Sequence, residues 1–359
     1  NFQKALTEEE KDGSQDKQLK LNILFNLGSV ASVLGLVTQS QSALNDALKL
    51  AVSEFGENSP DVAKIHNTLG LMLVDQGRPH ESFSHFDKCI KIFESQKDED
   101  PESLANAYNN AGRAYETTSQ FDAALEYYNK ALELRRTFVG EESFPVANSY
   151  NNIGMVLFNK GEMDKAIDFL TKSVNIMTKV QGEQNQYVGA TYLNLGEVHI
   201  AAKKIDQAIE YLTKGTKILS ALYGENHMDV ALGYQNLALA YFIKKDITAA
   251  STMIEKALKI RENIQNPETP TFVKAYSTYG QILLAKGETD KGIEALLNAE
   301  KICNNIFKGK TGYLLDVYYV LVEAYLAKKD PKKAIEYAEK AQDLCLGLYG
   351  PSHQFTQAR

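Results

Sequence analysis

The sequence has no tryptophan, only three cysteines and eight prolines, and no hydrophobic run of the length a membrane requires. A transmembrane helix needs about 18 or more consecutive apolar residues, so we expect no membrane insertion. No positively charged segment followed by an apolar stretch indicates secretion. Because the chain begins with Asn1 and not with methionine, we expect it to be part of a longer protein.

Basic residues are too few for a nucleic-acid-binding surface. Lysine and arginine number 39 against 46 aspartates and glutamates, which gives a net charge of −7. Phosphate backbones are bound by a surplus of positive charge on one face, so we expect no nucleic acid partner. Cys89, Cys303 and Cys345 are odd in number and far apart, which indicates buried thiols in a reducing compartment, with no disulfide. We expect a cytoplasmic protein.

What the sequence does contain is a repeat of 42 residues. Small residues recur at this spacing in one register through Gly28, Gly70, Gly112, Gly154, Gly196, Ala238 and Gly280. Two further registers, which include Ala124 and Ala131, keep the same spacing. Self-similarity at a fixed period is typical of a repeat protein.

Each repeat is predicted to form two helices. Pro145 precedes a first helix that Gly161 ends, and Asp164 lies near the start of a second helix that Gly182 ends. Proline before a helix, glycine after it and an acid in the first turn are the expected boundary residues. The connections are short, so neighbouring helices should pack antiparallel. No segment alternates with period two, and we expect no strands.

The repeat spacing predicts the organisation of the whole chain. We expect eight units at about 18–56, 60–98, 102–140, 145–182, 187–224, 229–266, 271–308 and 313–350. Residues 1–17 should hold the end of an earlier repeat and a polar loop, and residues 351–359 the start of a further repeat.

Helix packing explains the small residues. At 100° per residue, Gly112 lies in the same sector as Tyr108 and Ala111, which forms the predicted buried stripe. A glycine there lets the two helices of a unit approach to about 8–10 Å. Tyrosine recurs at the Tyr108 position in later repeats, and because this position faces the partner helix, core packing is favoured over an aromatic binding strip.

These features resemble the tetratricopeptide repeat. A small residue preceded by a larger one and followed by an aromatic appears at Ala111-Gly112…Tyr115 and Leu237-Ala238…Tyr241. The usual repeat is shorter, at about 34 residues. The longer form, with the segments 150–154, 224–231 and 257–262, is similar to the repeats of kinesin light chains, although the heavy-chain-binding heptads of that family are absent. HEAT and armadillo arrays have a similar period but lack the small-residue register.

The resemblance implies an all-α fold, a right-handed superhelical α-solenoid of stacked antiparallel helix pairs. It also implies a scaffold or adaptor that binds proteins, with the cytoskeleton as one location within the cytoplasm. In such a solenoid the first helices line the concave surface.

Polar residues on one face of the first helices are the candidate binding site. They lie at about 60° to 160° from Gly112 on the helical wheel, beside the buried stripe. The candidate peptide-binding residues are Lys64, Asn67, Asn106, Asn109, Asn110, Arg113, Asn148, Asn151, Asn152, Asn159, Asn194, Asn236 and Lys274. A carboxamide carries both a donor and an acceptor, so a row of them can hold the main chain of an extended peptide. Capping between helices or a solvated face is the structural alternative.

The partner class follows from these residues. The basic side chains on this face are dispersed, so an internal segment of a partner is favoured over a C-terminal carboxylate. Farther along, Leu193, Leu232, Leu239 and Ile243 make the face more apolar, which suits a hydrophobic anchor. Two alternatives stay open: a structural subunit of a large cytoskeletal or motor assembly that docks through its outer helices, and a regulatory repeat region of a larger enzyme or nucleotide-switch protein.

No catalytic, cofactor or metal site is predicted. The segment from Lys308 to Thr311 resembles part of a phosphate loop but lacks the earlier glycine and a preceding strand. His80 and His85 are five residues apart, which places them on different faces of a helix. His199 falls at a core position. No Ser/His/Asp or Cys/His set has a recognisable context.

Overall fold

The computed structural model describes residues 17–96, 100–264, 270–307 and 311–350. Apart from Lys17, the expected remnant of an earlier repeat at 1–17 lies outside these residues, as does the expected start of a further repeat at 351–359. Residues 308–310 of the segment that resembles a phosphate loop also lie outside them.

The described residues form helices joined by short connections and contain no strand. In chain order the helices are α1 Lys17–Val33, α2 Val37–Phe55, α3 Pro60–Asp75, α4 Pro79–Glu94, α5 Pro101–Thr117, α6 Phe121–Val139, α7 Phe144–Asn159, α8 Met163–Gln181, α9 Gln186–Ala201, α10 Ile205–Tyr223, α11 Met228–Ile243, α12 Ile247–Asn263, α13 Pro270–Ala285, α14 Thr289–Phe307, α15 Gly312–Ala327 and α16 Pro331–Tyr349. Odd-numbered helices are the first helices of each pair. The all-α fold of stacked antiparallel helix pairs is confirmed.

Local sequence explains where the helices begin. Ser59 precedes α3, and its Oγ accepts a hydrogen bond from the backbone N–H of Val62. Asp100 precedes α5, and its Oδ1 accepts from the N–H of Ser103 at 3.0 Å. Such caps pair N–H groups that the first turn leaves without partners. A proline at the first position of both helices loses no hydrogen bond there.

The register of small residues marks the closest approach within each helix pair. A Cβ built on Gly112 of α5 would lie 2.9 Å from Cδ1 of Tyr128 on α6, and one on Gly196 of α9 would lie 2.3 Å from Cγ of Leu212 on α10. Real Cβ atoms do not come this close, so a larger residue would push the two helices apart. Tyr108 is 7% exposed and contributes to the core, as the sequence predicts.

The helices divide into two compact units, Asn1–Ile176 and Met177–Arg359, with the division inside α8. In the first unit, α1 packs on α3 and α3 on α5, so first helices lie beside first helices. In the second unit, α9, α11, α13 and α15 pack on one another in the same order. Each unit thus has a face made of first helices, which we call its inner face. Among the described residues, no helix is both long and apolar enough to cross a membrane.

Candidate functional site

Four of the candidate asparagines bond to one another on the inner face of the first unit. Nδ2 of Asn152 on α7 donates to Oδ1 of Asn109 on α5 at 2.9 Å, and Nδ2 of Asn110 donates to Oδ1 of Asn67 on α3 at 3.0 Å. A longer contact of 3.5 Å from Nδ2 of Asn109 to Oδ1 of Asn110 joins these two bonds. We call these four residues the amide row. All four are half-buried, and the row crosses three first helices.

The amide row uses only part of its bonding capacity. A carboxamide has two N–H donors and two acceptor lone pairs. Within the part of the chain that the structure describes, Asn109 and Asn110 each donate one bond and accept one, so each keeps one N–H and one lone pair. The row is therefore both a link between helices and a source of unused donors and acceptors.

Other candidate residues of the first unit are engaged with neighbouring side chains. Asn106 accepts a hydrogen bond from Nη2 of Arg135 at 2.8 Å. Arg113 pairs with Asp75 at 2.5 Å, with both side chains about half exposed. Nδ2 of Asn159 donates to Glu116 at 3.2 Å, and burial raises the pKa of that carboxyl group. Of the remaining candidates in this unit, Lys64 is exposed, and Asn148 and Asn151 are half-buried.

The second unit has a cavity of about 430 Å³ on its inner face. Candidates Asn236 on α11 and Lys274 on α13 line it, whereas candidate Asn194, half-buried on α9, does not. The wall also includes Glu197, Ile200, Gln235, Leu239, Val273, Ser277, Thr278, Gln281, Tyr313, Asp316, Tyr319 and Val320. The walls are thus partly apolar and partly polar, as is usual for ligand pockets of this size.

Two buried carboxamides of this cavity form no bond to another described amide like those of the amide row. Gln235 and Asn236 are 4% and 8% exposed, and they occupy the repeat positions of Asn109 and Asn110. Among the described residues, Oε1 of Gln235 accepts no hydrogen bond. A buried polar group without a partner is rare in native proteins and calls for an explanation.

Charged groups of both signs also line the cavity. Nζ of Lys274 lies 5.5 Å from the ring centroid of Tyr313. Partial burial raises the pKa of the Asp316 carboxyl group, and the positive charge of Lys274 opposes that rise. In the described part of the chain, Asp316 lies beyond ion-pair distance of any basic side chain.

Sequence reasoning missed several of these groups. Gln235 and Asp316 are absent from the predicted residues, although both share repeat positions with candidates, Gln235 with Asn109 and Asp316 with Lys274. His85 was compared with His80 along one helix, whereas in the structure it meets His66 across the helix pair, with 2.9 Å between their Nδ1 atoms. The predicted antiparallel pairing of α3 and α4 is the feature of the sequence that could have indicated this contact.

The described residues contain no group of three or more histidine, cysteine or acidic side chains arranged to hold a metal ion. Cys89, Cys303 and Cys345 are free and buried, and burial raises the pKa of the Cys89 thiol to about 12. A thiol so protonated is a poor nucleophile.

Solved structures share this fold. The apo form of the quorum sensor NprR from B. thuringiensis superposes with a TM-score of 0.68 at 17% identity and covers 96% of each chain. BtubC (BKLC) from P. vanneervenii has a TM-score of 0.56 at 20% identity, covering 64% of this chain and 91% of its own. A Podosopora anserina kinesin light chain with nearly identical TPR-like repeats has a TM-score of 0.50 at 17% identity, covering 58% of this chain and 99% of its own. These likenesses support the fold.

Sequence comparison identifies the repeats. No curated protein matches the chain. One family model of the tetratricopeptide repeat matches residues 19–95, 61–137, 145–221, 188–263 and 271–346, and a second model of the same repeat matches 109–176. These matches cover most of the sequence, and successive ranges begin about one or two 42-residue repeat lengths apart. The chain therefore belongs to the tetratricopeptide repeat family.

Proposed function

We propose that this repeat scaffold is a non-catalytic adaptor that holds an extended, internal segment of a partner protein on the inner face of its first helices. The observation that carries the proposal is the amide row, whose interior members, Asn109 and Asn110, each keep a free donor and a free acceptor. A peptide group presents the complementary N–H and C=O pair. A ligand bound through its main chain needs few particular side chains, which suits an adaptor.

The amide row also favours binding because it is ordered before a ligand arrives. Each of its hydrogen bonds fixes the orientation of a side chain that would otherwise lose rotamer freedom on binding. Immobilising a flexible side chain costs about 0.5–1.5 kcal/mol. The bonds between first helices therefore lower the entropic cost of binding as well as joining the helices. The other candidate residues are proposed to contact such a segment on the inner face of the unit to which each belongs.

Affinity capture tests the proposal. The whole chain serves as bait in a lysate of its own cells, and retained proteins are identified by mass spectrometry. The Asn110→Ala, Asn152→Ala and Asn194→Ala triple variant is the test bait, and Asn129→Ala, on the second helix α6, is the control. We expect the triple variant to lose partners that the control retains. Undiminished capture by a folded triple variant would exclude binding through these amides.

A second candidate is a structural subunit that docks through its second helices. Large apolar side chains are exposed near the C-terminal ends of these helices at Phe138, Val180 and Leu222, each one repeat length apart in the sequence. If Phe138→Ser or Leu222→Ser abolishes capture while the triple asparagine variant does not, the partner docks on this outer surface.

A further inference from the structure

The inner faces of the two units differ in how their carboxamides are bonded. In the first unit, Asn109 and Asn110 belong to the amide row. In the second unit, Gln235 and Asn236 occupy the same two repeat positions, yet no hydrogen bond joins their side chains to any described residue. They line a cavity of about 430 Å³. At the two repeat positions that supply their partners in the amide row, the neighbouring first helices carry Leu193 and Thr278, which leaves these two amides without amide partners there.

Two unpaired groups of the cavity are acceptors. Oε1 of Gln235 accepts no hydrogen bond among the described residues and is shielded from solvent. Asp316, as a carboxylate, is acceptor-only, and it has no ion-pair partner in the described part of the chain. The terminal torsion of a glutamine side chain is broad and roughly two-fold, so rotation about it can turn Oε1 toward the cavity. A ligand that satisfies both groups must bring several N–H donors.

The charge balance of the cavity also favours a ligand that brings N–H donors, in particular a cation. Two carboxylates, Glu197 and Asp316, face one ammonium group, that of Lys274. Lys274 is placed over the ring of Tyr313, outside ion-pair distance of Asp316. Burial raises the pKa of Asp316, which means that the cavity does not fully compensate the ionised carboxylate for its lost hydration. An arriving cation would provide it.

We infer that this cavity receives a basic side chain, arginine or lysine, of the bound segment, with Gln235 and Asp316 as its acceptors. The inference rests on the proposed function, since it assigns one residue of a segment held on the inner face of the second unit. An arginine fits best because its planar guanidinium carries five N–H donors and can bond an amide oxygen and a carboxylate together. Apolar wall residues such as Ile200 and Leu239 would pack against the aliphatic stem.

Three synthetic peptides test this assignment. Each is an acetylated and amidated heptapeptide of alanine with a central arginine, citrulline or glutamate. Citrulline keeps the shape and most N–H donors of arginine without its charge, so it separates a cation site from a neutral donor site. Binding to the full chain is measured by NMR titration, which reaches the millimolar range expected of short peptides.

Two variants remove the acceptors, and one serves as a control. Gln235→Leu replaces the carboxamide with an apolar side chain and so deletes the unpaired oxygen, and Asp316→Asn deletes the carboxylate. Losing an unsatisfied buried polar group is neutral or stabilising, so Gln235→Leu should fold, which circular dichroism checks. Asp290→Asn makes the same chemical change at an exposed residue outside the cavity.

We expect the arginine peptide to bind about tenfold or more tightly than the other two, the size of one good charged hydrogen bond. Gln235→Leu and Asp316→Asn should each weaken it about fivefold or more, and Asp290→Asn should leave it within about twofold. Equal binding of the three peptides, or arginine binding that both cavity variants retain, would overturn the inference and leave peptide binding on the inner face intact. No binding of any peptide would also overturn it, while capture with the asparagine variants decides the proposed function separately.

Discussion

Arg135 and Arg261 occupy the same position of their repeats, three repeat lengths apart, but among the described residues only the guanidinium of Arg135 donates hydrogen bonds to other side chains. Its guanidinium donates to Oγ of Ser149 at 2.7 Å and to Oδ1 of Asn106 at 2.8 Å. Arg261 is fully buried and donates to the carbonyl of Thr271, while its Nε and Nη2 have no partner among the described residues. Alanine and leucine, at 275 and 232, stand where Ser149 and Asn106 stand in the earlier repeat. Desolvation lowers the pKa of Arg261 to about 10.

This difference predicts opposite effects of one substitution. Arg135→Met should destabilise the chain by about 1–3 kcal/mol, because it leaves the buried hydroxyl of Ser149 without its donor. Arg261→Met should be neutral or stabilising by about 1 kcal/mol, since it removes a buried charge whose desolvation is poorly compensated. Urea denaturation of the two variants measures both free energies. Equal destabilisation by both would show that Arg261 has partners beyond those described.

The His66–His85 contact predicts a loss of stability in mild acid. Burial, the neighbouring histidine and Lys88 lower the pKa of His66 from 6.5 to about 4, and burial and Lys88 also lower that of His85. Between these values the unfolded chain binds a proton that the folded chain does not, so stability is full above pH 6.5 and falls as the pH drops toward 4. After allowance for solvent screening, His66 should account for about 1 kcal/mol between pH 7 and 5.

Denaturation of three proteins at pH 7 and 5 measures this effect. His66→Leu should lose less stability on acidification than the original chain, by that amount. His80→Leu, at an exposed histidine of the same helix as His85, should behave like the original chain. The same pH dependence in all three would mean that carboxyl groups alone cause it.

The turns between paired helices offer a test of backbone strain. Gly161 and Lys245 occupy the same turn position two repeats apart, with φ of 88° and 65°. A residue with a Cβ is strained by about 1–2 kcal/mol in the left-handed region, and glycine avoids this strain. Glycine loses more conformational entropy on folding, however, which offsets part of that gain. Lys245→Gly should therefore stabilise the chain by about 0.5 kcal/mol, and Gly161→Ala should destabilise it by about 1 kcal/mol. Thermal unfolding of both variants would reveal any departure from these signs.

The bonds of the amide row can be measured by a double-mutant cycle. Asn110→Ala and Asn67→Ala remove the two ends of one hydrogen bond, and the cycle cancels the higher helix propensity of alanine. We expect a coupling free energy of about 0.5–1 kcal/mol, the usual net value of a partly solvated hydrogen bond. The pair Asn110 and Asn129, on different helices and without contact, should show none. A zero coupling for the first pair would mean that the amides are solvated individually.

The fold could be predicted from the sequence because it depends on spacing. A glycine such as Gly112, repeated every 42 residues, requires a close helix partner, and the structure places Tyr128 there. The limits of the eight predicted units and the candidate binding residues remain predictions.

Side-chain bonding could not be predicted in the same way. The repeat register predicts that Asn109 and Asn152 lie on one face. Whether one amide reaches the other depends on the distance between the two helices, which cannot be read from the sequence. The same holds for His66 and His85. The unpaired state of Gln235 depends on what the neighbouring helices present to it, and this became visible only in three dimensions.

The central claim is that the carboxamides of the inner face hold a partner's extended segment. The most direct test is NMR of the asparagine side-chain NH₂ groups, recorded while a peptide mapped from a captured partner is added. We expect the signals of Asn109, Asn110 and Asn152 to shift in proportion to occupancy, while that of Asn129 on the second helix α6 stays unchanged. If binding saturates while the signals of Asn109, Asn110 and Asn152 stay in place and signals of residues on the second helices shift, the account is contradicted.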